Sequence, residues 1–122
     1  MTNEAVLTEL QALREQVTGV SDAAVASSDG LLVASDTGEV RPDVLAALAA
    51  AALGLSKSAG KEVGMGELRE VTIRCAGGHI VVYAVRDKNL LVVLGDEGLD
   101  IAHLHLQSRP VVDRLAKLLN PA

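Results

Sequence analysis

The chain has 122 residues, of which 49% are hydrophobic and 22% charged, which is typical of one globular domain. It has no Phe and no Trp, and Tyr83 is its one tyrosine. This composition disfavours single-stranded nucleic-acid binding, sugar clefts and polyproline grooves, since such sites use aromatic faces. The net charge of −5 and the lack of a basic run disfavour DNA and anionic membranes as partners.

The N-terminal residues and the lone cysteine indicate a reduced compartment. Cys75 has no second cysteine to pair with, and residues 1–10 lack the basic and apolar regions of a secretory signal. The longest uncharged stretch, Val44 to Ser56, is shorter than the ~20 residues that span a bilayer. We therefore expect a single cytoplasmic domain over residues 1–122, with no membrane insertion.

The chain begins with an amphipathic pattern. Val6, Leu10, Leu13 and Val17 recur at helical spacing, and Gly19 ends the predicted helix. Two short strands follow over residues 20–27 and 31–35, joined by a turn at residues 28–30. The turn residue Asp29 is better explained by local hydrogen bonding than by catalysis.

A long second helix is predicted from Pro42 and Asp43 to about Val63, because proline is tolerated in a first helical turn. On a helical wheel, one sector of about 120° would pack on the sheet. It contains Leu45, Leu48, Ala49, Ala52, Leu55 and Ala59. The opposite side is uncharged and carries Ala46, Ala50, Gly54 and Ser58, with Ala47 and Ala51 beside them.

An uncharged outer face is unusual for a surface helix. One explanation is that alanine is simply the best helix former. The other is burial against a further helix, since small residues at spacing i, i+4 let two helix backbones approach closely. A domain of this size has no spare helix, so we favour a homodimer with the second helix packed on its own copy.

Three further strands are predicted over residues 68–75, 79–85 and 90–94, which form a meander. The last two are apolar on both sides, so helices should cover both faces of the sheet. Cys75 lies on the apolar side of the first of these strands and is expected to be a buried thiol.

The C-terminal segment, residues 99–119, reads as a helix, and Pro110 leaves two alternatives. Either Pro110 kinks one long helix, or Ser108 caps a new helix with Pro110 in its first turn. The predicted order of elements is α-β-β-α-β-β-β-α.

Sequence motifs for catalysis, nucleotides and metals are weak. Residues 54–61 resemble a P-loop, but the spacing is too long and no strand precedes them. His103 and His105 would point about 200° apart on a helix and cannot share one metal, so we expect solvated or capping histidines. We predict no enzyme activity, no cofactor and no metal site.

Taken together, the elements resemble the Roadblock (dynein light-chain) family, and the alanine-rich style is similar to actinobacterial members. The resemblance lies in the strand, Asp29-Gly30 turn and strand of residues 20–36, the small-residue helix, and the closing meander of residues 68–94. It spans about residues 4–119.

The resemblance implies an α+β, profilin-like sandwich. The second helix would lie on one face of a five-stranded antiparallel sheet, and the terminal helices on the other. It also implies homodimers formed through the second helix and the third strand. The expected interface comprises Ala46, Ala47, Ala50, Gly54, Ser58, Glu70 and Thr72.

The resemblance further implies a non-enzymatic homodimeric regulator or scaffold that binds a small Ras-like GTPase and modulates its nucleotide cycle or location. Expected partner contacts are Arg41, Lys57, Lys61, Arg69 and Arg74. The alternative is a purely structural module that tethers a sensor kinase or motor-type assembly without affecting GTP hydrolysis. A small-ligand sensor fits less well, because the second helix leaves little room for a pocket.

Overall fold

The computed structural model describes residues 2–120, which form three helices and five strands. The order of elements is the predicted one, including the hairpin between the first two strands and the closing meander. The elements are α1 (Thr2–Gln16), β1 (Val20–Ser27), β2 (Leu32–Asp36), α2 (Pro42–Glu62), β3 (Glu70–Cys75), β4 (Gly78–Val85), β5 (Asn89–Gly95) and α3 (Ile101–Leu119).

The five strands form one antiparallel sheet in the order β2-β1-β5-β4-β3. The C-terminal strand β5 therefore lies in the centre, between β1 and β4. The two edges of the sheet are β2 and β3, and each has a neighbour on one side only.

Both faces of the central strands are buried, as the apolar pattern predicts. In β1, Ala23 and Val25 belong to the core beneath α1 and α3, whereas Ala24 and Ala26 belong to the core beneath α2. The same alternation runs through β4 and β5, because neighbouring residues of a strand point to opposite faces. Helices on both sides of the sheet are thus confirmed.

Helix α1 and the residue that follows it pack through the four positions that the periodicity indicates. Val6, Leu10, Leu13 and Val17 are all fully buried. At the rim of this layer, Nε of Arg114 in α3 lies 2.9 Å from both carboxylate oxygens of Glu9 in α1. This ion pair joins the two helices that cover this face of the sheet.

The helix α3 runs without interruption through Pro110, so the alternative of a second helix capped by Ser108 is wrong. Its N-cap is Asp100, whose carboxylate accepts a hydrogen bond from the backbone N–H of His103 at 3.1 Å. Proline deprives the carbonyl four residues earlier, that of Leu106, of its helical donor. Leu106 lies on the exposed side of α3.

The one tyrosine of the chain connects β4 to α3. The Tyr83 hydroxyl lies 2.7 Å from Nδ1 of His105, and the two rings meet edge to face. His105 is therefore half-buried and hydrogen-bonded, and the expectation of a solvated or capping histidine is wrong for this residue. Burial raises the pKa of Tyr83 to about 12, because the phenolate is poorly solvated there.

Tyr83 provides a test of this packing, because it is the only tyrosine and no tryptophan is present. We expect its near-ultraviolet absorbance to titrate with a pKa of about 12 in the native protein, and with an ordinary pKa of 10.0 in concentrated urea. At a pH of about 11, roughly a tenth of the phenol is ionised in the folded chain, against roughly nine tenths in the unfolded chain.

The same shift makes the fold sensitive to alkali. The folded pKa is above the unfolded one, so the stability contributed by the neutral phenol is fully present below pH 10.0 and is lost as the pH rises through about 12. Identical titration midpoints with and without urea would contradict the burial of Tyr83.

Candidate interaction surface

The sheet-facing side of α2 consists of small residues and leucines. Pro42 occupies the first helical turn, where its missing N–H needs no partner, and Asp43 lies near the positive end of the helix dipole. The buried positions of the helix are Leu45, Ala46, Ala49 and Leu53.

In the structure, α2 is rotated about its axis by roughly 80° relative to the orientation that the helical wheel predicts, so the predicted sheet-facing sector is wrong. Leu48 and Leu55, which were expected to pack on the sheet, are 64% and 75% exposed, whereas Ala46 is fully buried. The physical reason is size: Ala46 and Ala49 share one buried cluster with Ala24 and Ala26 of β1, so the helix lies close to the sheet.

The turn between β1 and β2 shows how close this approach is. Gly30 has a φ of +89°, and a Cβ atom there would lie 3.2 Å from the Cα of Ala47. The turn can therefore pack on the helix backbone only because residue 30 has no side chain. A leucine in place of Ala47 would prevent the contact between this turn and the helix.

The exposed side of α2, hereafter the outer face, is apolar and uncharged. It comprises Ala47, Leu48, Ala51, Gly54, Leu55 and Ser58. The Ser58 hydroxyl donates to the carbonyl of Gly54 at 3.3 Å, so the one polar side chain of this face is hydrogen-bonded within the helix.

The predicted interface residues of α2 therefore fall into two groups, one on the outer face and one packed against the sheet. Ala47, Gly54 and Ser58 lie on the outer face. Ala46 is buried against the sheet, so its assignment to an external interface is a mistake, and Ala50 lies half-buried beside it. Leu48 and Leu55 belong to the outer face, although the wheel assigned them to the core.

The edge strand β3 lies beside α2 and presents an open side. Glu70 and Thr72 are exposed, whereas Val71 and Ile73 are half-buried. Val71 packs against the cluster beneath α2, and Ile73, two residues further along the strand, shares its face of the sheet. Cys75 is exposed, so the expectation of a buried thiol is wrong. It is the last residue of the edge strand, opposite Gly78 in a tight hairpin.

The backbone pairing determines which groups of β3 point outward. The N–H of Ala84 in β4 donates to the carbonyl of Arg69 at 2.9 Å. In an antiparallel pair, residues alternate between facing the neighbour strand and facing away from it. Glu70, Thr72 and Arg74 therefore direct their N–H and C=O groups to the free edge.

The five cationic residues expected to contact a partner do not form one cluster. Arg41 lies before α2, at the opposite end of that helix from Lys61. Lys57 and Arg69 line an open cleft of about 840 Å³ between the end of α2, the start of β3 and α3. Arg74 lies within β3. None of the five belongs to either ion pair seen among the described side chains, Arg14–Asp36 and Arg114–Glu9.

Three cations of the cleft were missed by sequence reasoning. Arg86 comes from the turn between β4 and β5, and Arg109 and Lys117 come from α3. No local sequence signal could have grouped them, because only the fold brings these segments together. Carboxylates from Glu67, Glu70, Asp87 and Asp113 share the cleft, so its charge is mixed.

Within residues 2–120, α2 is also the one helix long and apolar enough to cross a membrane by length and composition. Only 22% of its most apolar window is buried in the fold. The core helix of a soluble protein meets the same criterion, so this is weak evidence for a membrane segment. Across the same part of the chain, no group of three or more His, Cys, Asp or Glu residues is placed to hold a metal ion.

Comparison with known proteins gives consistent results. The sequence profile of the Roadblock/LC7 domain matches residues 6–95. A Roadblock/LC7 domain from Streptomyces avermitilis is 25% identical, with a TM-score of 0.87 over 92% of this chain and 95% of that chain. Among curated proteins, none matches this sequence.

Two further solved structures share the fold at lower identity. An MglB with a tetrameric arrangement is 18% identical, with a TM-score of 0.87 over 96% of this chain and 89% of that chain. Profilin IA from Acanthamoeba castellanii is also 18% identical, with a TM-score of 0.60 over 95% and 97% of the two chains. The profilin-like architecture is thereby confirmed.

The orientation of α2 can be tested with one charge placed on either side of it. We expect Ala46→Glu to unfold the protein, because an unpaired carboxylate buried against the sheet costs several kcal/mol, which is comparable with the stability of a small domain. Ala51→Glu changes the charge equally but on the outer face, and should leave the fold intact. Far-ultraviolet circular dichroism and urea unfolding distinguish the two. An unfolded Ala51→Glu variant beside a folded Ala46→Glu variant would reverse the assignment of faces.

Proposed function

Because the chain belongs to the Roadblock/LC7 domain family, we propose that it is a homodimeric, non-enzymatic regulator of a small Ras-like GTPase. In this role the protein acts by binding, and none of its residues performs a chemical step. It forms a platform for the GTPase and modulates its nucleotide cycle or its location in the cytoplasm.

The uncharged outer face of α2 carries this proposal. Two leucines there are mostly exposed, and no charged residue stands between Asp43 and Lys57. Apolar surface of this kind on a small domain favours association, because burying it releases ordered water. A second copy provides a surface of the same composition, as an isologous interface requires.

The neighbouring edge strand supports the same arrangement. An unpaired strand edge tends to pair with another strand, and β3 carries neither a proline nor a lysine that would block pairing. Two copies joined along β3 would bring their α2 helices to the same side of one continuous sheet. Among the neighbours of this fold, the MglB with a tetrameric arrangement self-associates, which supports association here as well.

The cationic residues near the ends of α2 remain the proposed contacts for the GTPase. Lys57 and Arg69 share the mixed-charge cleft, and Arg41 and Lys61 are exposed near opposite ends of α2. Charges at the rim of an interface mainly raise the rate of association and select the partner. We expect them to steer an acidic surface of the GTPase toward the dimer.

Self-association is tested by placing a charge at the centre of the outer face. We expect Ala51→Glu to convert a dimer into a monomer, because pairing two copies would bury two carboxylates without partners. The control is Ala102→Glu, an equal change at an exposed alanine of α3. Light scattering coupled to size exclusion gives the masses. A wild-type protein that is monomeric at all concentrations would overturn the dimer.

The partner is tested with the purified small Ras-like GTPases of the organism that produces this protein, each loaded with GDP or a non-hydrolysable GTP analogue. We expect binding in calorimetry that depends on the nucleotide and a changed rate of hydrolysis. The double variant Lys57→Glu/Arg69→Glu should weaken binding about tenfold, because it reverses two charges at the rim of the interface. The control Lys88→Glu, which reverses a charge elsewhere, should not weaken it. Binding without any change in hydrolysis or exchange would favour a tether over a regulator. No binding in either nucleotide state would overturn the proposal.

A further inference from the structure

The free edge of β3 carries a self-complementary pattern of charge. Its outward-directed residues are Glu70, Thr72 and Arg74, so an acidic and a basic side chain lie at equal distances on either side of a threonine. Because side chains alternate along a strand, these three share one face of the sheet, opposite Val71 and Ile73. Val71 packs against the cluster beneath α2. Neither Glu70 nor Arg74 takes part in either ion pair of the described side chains.

Symmetry limits how two such edges can pair. A two-fold axis perpendicular to the sheet joins two copies of β3 as antiparallel strands and keeps both α2 helices on one side. Residues directly opposite each other must then have side chains on the same face. The axis therefore passes through a residue of β3, and not between two residues.

We infer that β3 pairs with the same strand of a second copy about an axis through Thr72, and that Glu70 and Arg74 set this register by facing the partner's Arg74 and the partner's Glu70. This inference rests on the proposed homodimer. It adds the alignment of the two strands and the side chains that specify it, and it assigns Arg74 to this junction instead of to the GTPase contact that the resemblance implies.

The backbone favours the same axis. With Thr72 at the centre, all three outward-directed residues lie opposite outward-directed residues, and each such pair exchanges two hydrogen bonds. Moving the axis to Val71 or Ile73 leaves one outward residue of each strand facing the chain beyond β3. The register centred on Thr72 therefore uses all of the free edge.

The side chains distinguish the registers further. With the axis at Val71 or Ile73, Thr72 would face Glu70 or Arg74, and both ion pairs would be lost. With the axis at Glu70 or Arg74, that residue would face its own copy, and like charges directly opposite are destabilising. Only the axis at Thr72 places opposite charges together twice.

The face toward α2 fits this register as well. Val71 would lie opposite the partner's Ile73, and both residues are half-buried in the single chain. Cross-strand pairs of β-branched residues stabilise a sheet. The apolar layer beneath the two α2 helices would thus continue across the junction without a charged side chain.

Charge reversal tests the register. We expect Glu70→Arg or Arg74→Glu alone to raise the Kd of the dimer at least about tenfold, because like charges then meet at both ends of the junction. The double variant Glu70→Arg/Arg74→Glu should restore wild-type association. An equal mixture of the two single variants should form a heterodimer, because each like-charged pair becomes an opposite-charged pair. Glu67→Arg, just before β3, is the matched control, and native mass spectrometry separates the species.

Cross-linking gives a second measurement that does not depend on affinity. The variant Thr72→Cys/Cys75→Ser should form an intermolecular disulfide on mild oxidation, because residues directly opposite across strands lie within the Cα distances that disulfides span. In the wild-type protein, Cys75 would face the partner's Arg69 and should not cross-link.

The outcomes separate the register from the dimer itself. A wild-type dimer whose affinity is unchanged by either single charge reversal, or which cross-links through Cys75, overturns the register and leaves the homodimer standing. A wild-type protein that is monomeric throughout overturns both. The changed side chains are exposed, so each variant should keep its fold. A circular dichroism spectrum of each variant like that of the wild type then excludes unfolding as the cause of lost association.

Discussion

The close packing of α2 on the sheet is the constraint on which the surface of this molecule depends. Alanines of the helix meet alanines of β1 in one buried cluster, so that the two layers approach with little side-chain bulk between them. Leucines at positions 48 and 55 would hold the layers apart, and they point to solvent. The same contact that stabilises the core therefore leaves an apolar outer face, and this face is the basis of the proposed self-association.

The course of the chain places α2 next to the edge strand β3. The segment after β2 crosses the sheet as α2 and returns at the opposite edge as β3. A helix of 21 residues is about 32 Å long, enough to cross five strands spaced roughly 4.8 Å apart. The end of α2, the start of β3 and the C-terminal half of α3 consequently lie together around one cleft. The proposed surface for self-association and the proposed partner contacts thus adjoin each other.

Much of the fold could be predicted because its signals are local. The four buried residues of α1 and its C-terminal end repeat at helical spacing, and the strands that are apolar on both sides indicate a sheet with helices on both faces. The outer face could be predicted only in part. The sequence shows its lack of charge but not its orientation, because hydrophobicity alone assigns Leu48 and Leu55 to the core. The deciding fact was the small size of Ala24 and Ala26, which lie on another element.

The sequence by itself determined the order of elements, the two-sided burial of the sheet and the uncharged character of α2, since each depends on residues close together in the chain. Only the tertiary structure decided which side of α2 faces outward, that Cys75 lies exposed on an edge, and that Lys57 and Arg69 share a cleft with cations of α3. These properties depend on the fit between side chains far apart in sequence. Such a fit is set by packing volume and strand order, and no periodicity within a single segment records it.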